Sequence, residues 1–148
     1  MALPLLILNG PNLNLLGQRD PGTYGHDTLQ TVEERCVALG TELGFDVSCH
    51  QSNHEGDLVD AIQSAGAAGT AVVFNPGAYS HTSIALRDAI SGSGARVVEV
   101  HISNIHGRER FRHHSHITPV AVGVIAGLGT AGYELAIRAH YHYLSKTK

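Results

Sequence analysis

Tryptophan is absent from this 148-residue chain, and lysine nearly so: Lys146 and Lys148 both fall in the last three residues. A chain so poor in amines offers no buried lysine for imine chemistry or for neutralising a nucleotide phosphate. Cationic work must come from Arg, His or backbone N–H groups. Cysteine is scarce as well, and Cys36 and Cys49 form neither a C-x-x-C pair nor a disulfide framework. No apolar run approaches the ~20 residues of a membrane span, and the opening stretch has neither a basic flank nor a signal cleavage site. Ten Lys plus Arg against thirteen Asp plus Glu give a formal charge of -3, which argues against a general binder of nucleic acid or anionic membranes. The expectation is a soluble, cytoplasmic protein. With 43% hydrophobic residues it suits one domain, residues 1–148, burying roughly two-thirds of its unfolded surface.

What the chain does have is eleven His, seventeen Gly and a regular alternation of short apolar runs with helical stripes. Leu5 to Leu8 reads as a buried strand ending at Asn9-Gly10-Pro11, with a polar, Gly- and Pro-rich stretch on to His26. Asp27 or Thr28 then caps a helix carrying Leu29, Val32, Cys36, Leu39 and Leu43, and Gly44 stops it. Phe45 to Gln51 is a second strand. Ser52-x-x-Glu55 has the form of a capping box before a helix with Leu58, Val59, Ile62 and Ala65 inward. Thr70 to Asn75 is a third strand, and a helix from Ser80 to Ser91 carries Ile84, Leu86 and Ile90. Ala95 to His101 is a fourth strand, and a charged stretch runs from Asn104 to His116. Val120 to Ala126 is a fifth strand, before a helix with Tyr133, Ile137, Tyr141 and Leu144 on one stripe.

Five such units with uninterrupted apolar strands imply an α/β fold, a flavodoxin-like doubly wound five-stranded parallel sheet with helices on both faces. Ligands bind such sheets at the carboxyl ends of the strands, near the switch in strand order. Here those ends are Asn9 to Tyr24, Asn75 to His81 and His101 to His116, and the polar residues are concentrated there. The site is expected there too.

Two tempting motifs fail on their surroundings. Gly127-x-Gly129-x-x-Gly132 lies between a strand and a helix, but no second strand with an acidic residue follows about twenty positions on. Tight turning and close helix packing account for those glycines better than a dinucleotide. His101, His106, His113, His114 and His116 suggest metal ligands, yet there is no H-E-x-x-H, and Arg108, Arg110 and Arg112 put positive charge beside any cation. An anion-binding or solvated basic segment fits better.

Three other stretches carry acid–base chemistry. The first loop holds one cation, Arg19, and one phenol, Tyr24. A guanidinium favours the phenolate and brings a phenol, ordinarily titrating near 10, toward the working range of a base. The same residues also read as a surface charge and a loop-packing aromatic, and the loop alone does not decide. In the fourth strand, alternation puts Glu99 and His101 on one face, where the carboxylate orients the imidazole and favours its protonated form, as a general acid requires. A structural histidine at a strand end reads equally well. After strand three, Asn75 and a helix expected to begin near Ser80 turn N–H groups and a positive dipole end toward the same pocket, with His81 in the first turn.

These residues fall in long motifs that resemble the type II 3-dehydroquinate dehydratases (type II dehydroquinases) over essentially the whole chain. The matching segments are Asn9-Gly-Pro-Asn-Leu-Asn-Leu-Leu-Gly, Arg19 with Pro21 and Tyr24-Gly25, Gln51-Ser-Asn, and Asn75-Pro-Gly-Ala-Tyr-Ser-His-Thr-Ser. Ala85-Leu-Arg-Asp-Ala, Glu99-Val-His-Ile-Ser-Asn, Arg108-Glu and Phe111-Arg-His-His-Ser continue them. The resemblance implies a flavodoxin-like, cofactor-free enzyme, with no metal, that dehydrates 3-dehydroquinate to 3-dehydroshikimate in the shikimate pathway of aromatic amino-acid biosynthesis. Carried over by position, Tyr24 is the base at C2, Arg19 keeps it anionic, Asn12 holds a water on the enolate oxygen, and His101 protonates the departing C1 hydroxyl. Asn75, His81 and Arg112 bind substrate hydroxyls, and the N–H groups of Ile102 and Ser103 bind its carboxylate. Asp88 matches a position reaching a neighbouring subunit's site, in trimers that assemble into dodecamers. Base and acid on opposite sides of the ring predict overall anti elimination. Ser80, Asp20 and His116 depart from the usual Thr, Glu and Tyr without removing a catalytic group.

Overall fold

The computed structural model describes residues 2–18 and 26–146. In them the apolar runs become β1 (Leu3–Asn9), β2 (Phe45–Gln51), β3 (Ala71–Asn75), β4 (Arg96–His101) and β5 (Gly123–Ala126). All the pairings are parallel and the spatial order is 2-1-3-4-5, the flavodoxin-like doubly wound arrangement. The helices are α1 (Leu29–Glu42), α2 (Glu55–Ala68), α3 (Ile84–Ser93) and α4 (Ala131–Lys146).

Strand alternation divides the core into two layers. Leu5, Ile7, Val73, Val98 and Val100 pack on one face against Val32, Cys36 and Leu39 of α1 and Tyr133, Ala136 and Ile137 of α4. Leu8, Val72, Phe74 and Val97 pack on the other against Leu58 and Ile62 of α2 and Leu86 and Ile90 of α3. Both faces are covered, which is why these strands read as continuous apolar runs. Burial pushes the Cys36 thiol up to about 12 and the Cys49 thiol to about 11, far from a reactive thiolate. Among the described residues no helix is long and apolar enough to cross a membrane.

Of the two candidate caps, Thr28 closes the start of α1, its hydroxyl accepting from Thr31 N at 3.1 Å. Several other local expectations shift. Ser52 makes no capping box: its Oγ accepts from His54 N at 3.0 Å, a tight turn, and Glu55 becomes the first helical residue. The segment after β3 does not enter a helix at Ser80. A 3-10 turn over Gly77–His81 intervenes, and Ser83 caps α3 through a 3.0 Å bond from Leu86 N. Ile84, as the first residue of that helix, is 60% exposed rather than inward. On α4 the buried stripe runs through His140, and Tyr141 is 45% exposed. The fifth strand is shorter than expected because Thr118–Val120 forms a 3-10 turn around Pro119, which cannot donate to a ladder. In the glycine motif, Gly127 has a φ of 87° and lies against Asn104, while Gly132 rests on Val100 and Ile125, so these glycines serve a tight turn and a close helix–sheet contact.

Candidate active site

The carboxyl ends of β1, β3 and β4 surround a cavity of about 150 Å³. Pro11, Asn12 and Leu13 form one wall, and Asn75, Gly77 and His81 another. His101, Ile102 and Ser103 lie at its base, with Arg108 and Arg112 on the remaining side. The position follows from topology: β1 and β3 are neighbours whose connections leave in opposite directions, and that divergence opens a crevice.

Two hydrogen-bond systems hold the walls. Tyr133, fully buried on α4, donates from its hydroxyl to Asn9 Oδ1 at 2.5 Å and accepts from Asn75 Nδ2 at 2.9 Å. Burial drives the Tyr133 phenol upward, so it stays a neutral hydroxyl. Asn75 Oδ1 accepts from Gly77 N at 3.0 Å, so the orientation of the Asn75 amide is fixed from both ends. Asn12 occupies the left-handed region at φ 70°, a conformation asparagine tolerates, and its backbone N–H donates to Asn53 Oδ1 at 3.0 Å.

The second system is built on β4. His101 Nε2 donates to Glu99 Oε2 at 2.5 Å, which leaves Nδ1 as the ring atom for the cavity. Burial by itself would raise the Glu99 carboxyl. Hydrogen bonds from His101, Thr118 and Ser115 overcome it, and the carboxyl lies below its usual range. The His81 ring stacks near that of His101, with centroids 6.1 Å apart. Burial lowers the His81 imidazole, electrostatic repulsion from His101 and Arg112 assists, and a bond to the His114 carbonyl opposes. That carbonyl, 2.8 Å from Nδ1, fixes Nδ1 as donor and leaves Nε2 of the neutral ring as an acceptor. The pocket thus offers guanidinium donors, the imidazole nitrogens of His81 and His101, and a buried carboxylate behind them. Those groups suit a small anion bearing hydroxyls.

The comparisons with known proteins agree with one another. The model of the family described as "Dehydroquinase class II" matches residues 3–141. The chain belongs to the class II dehydroquinase family. A "3-dehydroquinate dehydratase" from Marinomonas sp. (strain MWYL1) is 57% identical over 145 residues, 95% of this chain and 97% of that protein. One from Variovorax paradoxus (strain S110) is 59% identical over 140 residues, covering 91% and 96%. The crystal structure of type II dehydroquinase from Propionibacterium acnes superposes with a TM-score of 0.92 at 45% identity, covering 96% of this chain and 98% of that one.

In this chain, seven of the residues singled out in the sequence line one cavity: Asn12, Asn75, His81, His101, Ile102, Ser103 and Arg112. Glu99 lies directly behind His101. Arg19 and Tyr24 fall outside the described residues. Asp88 is exposed on α3, beside a shallow groove with Gln63 and Ala67 of α2, and does not line the cavity. The expected helix N-terminus is not at the site either, since α3 starts at Ile84 and the 3-10 turn supplies Gly77, Ala78 and His81 instead. The sequence reading gave no site role to four participants: Arg108 on the cavity wall, which it named only in a basic segment and a motif, Tyr133 behind Asn75, and Ser115 and Thr118 behind Glu99. Tyr133 had one legible signal, a phenol on a stripe where phenylalanine would fill the core as well, because a buried hydroxyl needs partners.

Proposed function

We propose that this chain dehydrates 3-dehydroquinate to 3-dehydroshikimate by anti elimination through an enolate, in one catalytic domain spanning residues 1–148. The observation that carries the reading is the buried Glu99–His101 pair at the base of a cationic cavity, on the strand ends where the family motifs converge. Tyr24, kept anionic by Arg19, removes the C2 proton beside the ketone. The charge that develops on the ketone oxygen is met by hydrogen bonds, including one from a water held by Asn12. His101, oriented by Glu99, protonates the C1 hydroxyl as it leaves on the opposite side of the ring, and the products are the conjugated enone and water.

Asn75 and Arg112 take substrate hydroxyls, His81 accepts one through Nε2, and the N–H groups of Ile102 and Ser103 take the carboxylate. Every proton transfer is assigned to a side chain, so the mechanism calls on no metal or cofactor. Asp88 completes the site of a neighbouring subunit, in trimers that assemble into a dodecamer in the cytoplasm. The test is ultraviolet absorbance of the enone on mixing with 3-dehydroquinate. Absorbance grows with the native protein, and Tyr24→Phe, which deletes only the phenol oxygen, lowers kcat by more than the roughly 10²–10⁴ of one positioned base. No growth with folded protein defeats the assignment, and near-normal turnover by Tyr24→Phe defeats the role of Tyr24.

A further inference from the structure

Glu99 is enclosed by donors on both of its oxygens. His101 Nε2 at 2.5 Å and Ser115 Oγ at 2.8 Å meet Oε2, and Thr118 Oγ1 at 2.6 Å meets Oε1. Two of these three come from outside the sheet, from the segment that turns into β5. At Ser115 the direction is fixed. Ser115 Oγ accepts from the backbone N–H groups of Ile117 at 3.1 Å and Thr118 at 3.3 Å, so its own proton is left for the carboxylate. Protonated, Glu99 could donate only by turning the Thr118 hydroxyl or the His101 nitrogen into an acceptor, whereas as a carboxylate it accepts from all three.

We propose that Ser115 and Thr118 are positioning residues for the general acid: their hydroxyls hold Glu99 as a carboxylate, so that the shared proton stays on His101 Nε2 and the carboxylate supports the proton that Nδ1 delivers to the leaving hydroxyl. The use of the Nδ1 proton rests on the dehydratase reading, whereas the place of the shared proton does not. The titratable and charged groups around the pair are His81, from the turn after β3, and Arg112 beyond it. The core on this face is otherwise apolar, formed by Phe74, Leu86, Ile90, Val97 and Ile117. The hydroxyls are therefore the neutral groups that decide on which side of the pair the proton rests. The lowered carboxyl of Glu99, despite its burial, agrees with that arrangement.

Thr118→Val is nearly isosteric and deletes one hydroxyl. Ser115→Ala deletes the other and also strips two backbone N–H groups of their acceptor, so Thr118→Val decides alone if the second variant does not fold. The first readout is the nitrogen chemical shifts of the His101 ring at neutral pH in ligand-free protein. In the native protein Nε2 carries the shared proton. In Thr118→Val, and further in the double variant, the Nε2 signal moves toward that of an unprotonated nitrogen as the proton passes to the carboxylate. The second readout is steady-state kinetics: kcat falls roughly tenfold for each hydroxyl removed, with KM nearly unchanged, because a bond to a charged group is lost and no substrate contact is. Thr118→Ser, which keeps the hydroxyl, restores both readouts. Native nitrogen shifts and native kcat in folded Thr118→Val overturn the proposal. Absence of dehydratase activity in the native protein defeats the functional reading instead, and the ring shifts then still decide where the proton sits.

Discussion

Replacing Tyr133 by Phe removes one oxygen from the interior, and that oxygen joins α4 to the ends of both central strands. It is the acceptor for Asn75 Nδ2 and the donor to Asn9 Oδ1, in a position with no solvent exposure. The space freed is too small for a water molecule to enter and replace both bonds. Two buried amide groups then lose a partner, at about 1–3 kcal/mol each. Asn9 Nδ2 already lacks one, so rotating that amide recovers little. Allowing for relaxation, the expected loss is about 2–4 kcal/mol, a large share of the 5–15 kcal/mol by which a typical domain is stable. For a chain of this size that lowers Tm by roughly 5–15 °C. Calorimetry at one fixed protein concentration measures it, because self-association would make Tm depend on concentration. Urea unfolding should show a lower midpoint at unchanged slope. The Asn75 amide is then restrained only by Gly77, and KM should rise severalfold. A variant within about 0.5 kcal/mol of native, the range of an ordinary surface change, would show that the hydroxyl does not hold these strand ends.

Gly10→Ala would put a methyl group 2.5 Å from the Pro76 carbonyl oxygen and 2.8 Å from its carbon, both backbone atoms. A loss of about 1–3 kcal/mol from overpacking is expected, together with reduced turnover as the turn carrying His81 is displaced, and thermal unfolding with kinetics checks both. His140 is buried against the Val72 carbonyl at 2.7 Å, and burial lowers its imidazole, as it lowers that of His81. The unfolded chain therefore binds more protons below the ordinary value of 6.5, and stability is full above that pH and lost as pH falls toward the lowered native values. His140→Phe should flatten this acid slope by up to about 1.4 kcal/mol per pH unit, measured by denaturant titration at several pH values. Borohydride added with 3-dehydroquinate should leave activity intact and add no mass to Lys146 or Lys148. A lysine adduct with inactivation would indicate an imine in place of the enolate.

The order of elements was legible because it is written locally. Apolar runs of strand length, stripes at three- and four-residue steps, and glycines placed to end helices each need only neighbouring residues. Gly69 and Gly94 close α2 and α3 in the left-handed conformation, and Gly44 follows α1 in the same region. The parallel sheet and the position of the cavity followed from that order, since strands joined by helices leave their carboxyl ends at one edge. The errors fell where a side chain had to choose between local and distant partners. Ser52 bonds a neighbouring N–H rather than capping a helix. The turn at Thr118 shortens β5 and brings its hydroxyl to Glu99.

From the sequence alone came the fold class, the edge at which chemistry occurs, the Glu99–His101 face and, through its motifs, the family resemblance. Only the tertiary structure decided what supports those groups. Glu99 is met by Ser115 and Thr118 from sixteen and nineteen residues away, and Tyr133 reaches Asn75 and Asn9 across 58 and 124. No periodicity or spacing encodes such pairs. They exist because the doubly wound sheet brings the start of its last helix over the ends of its central strands, where every buried hydroxyl must find a partner.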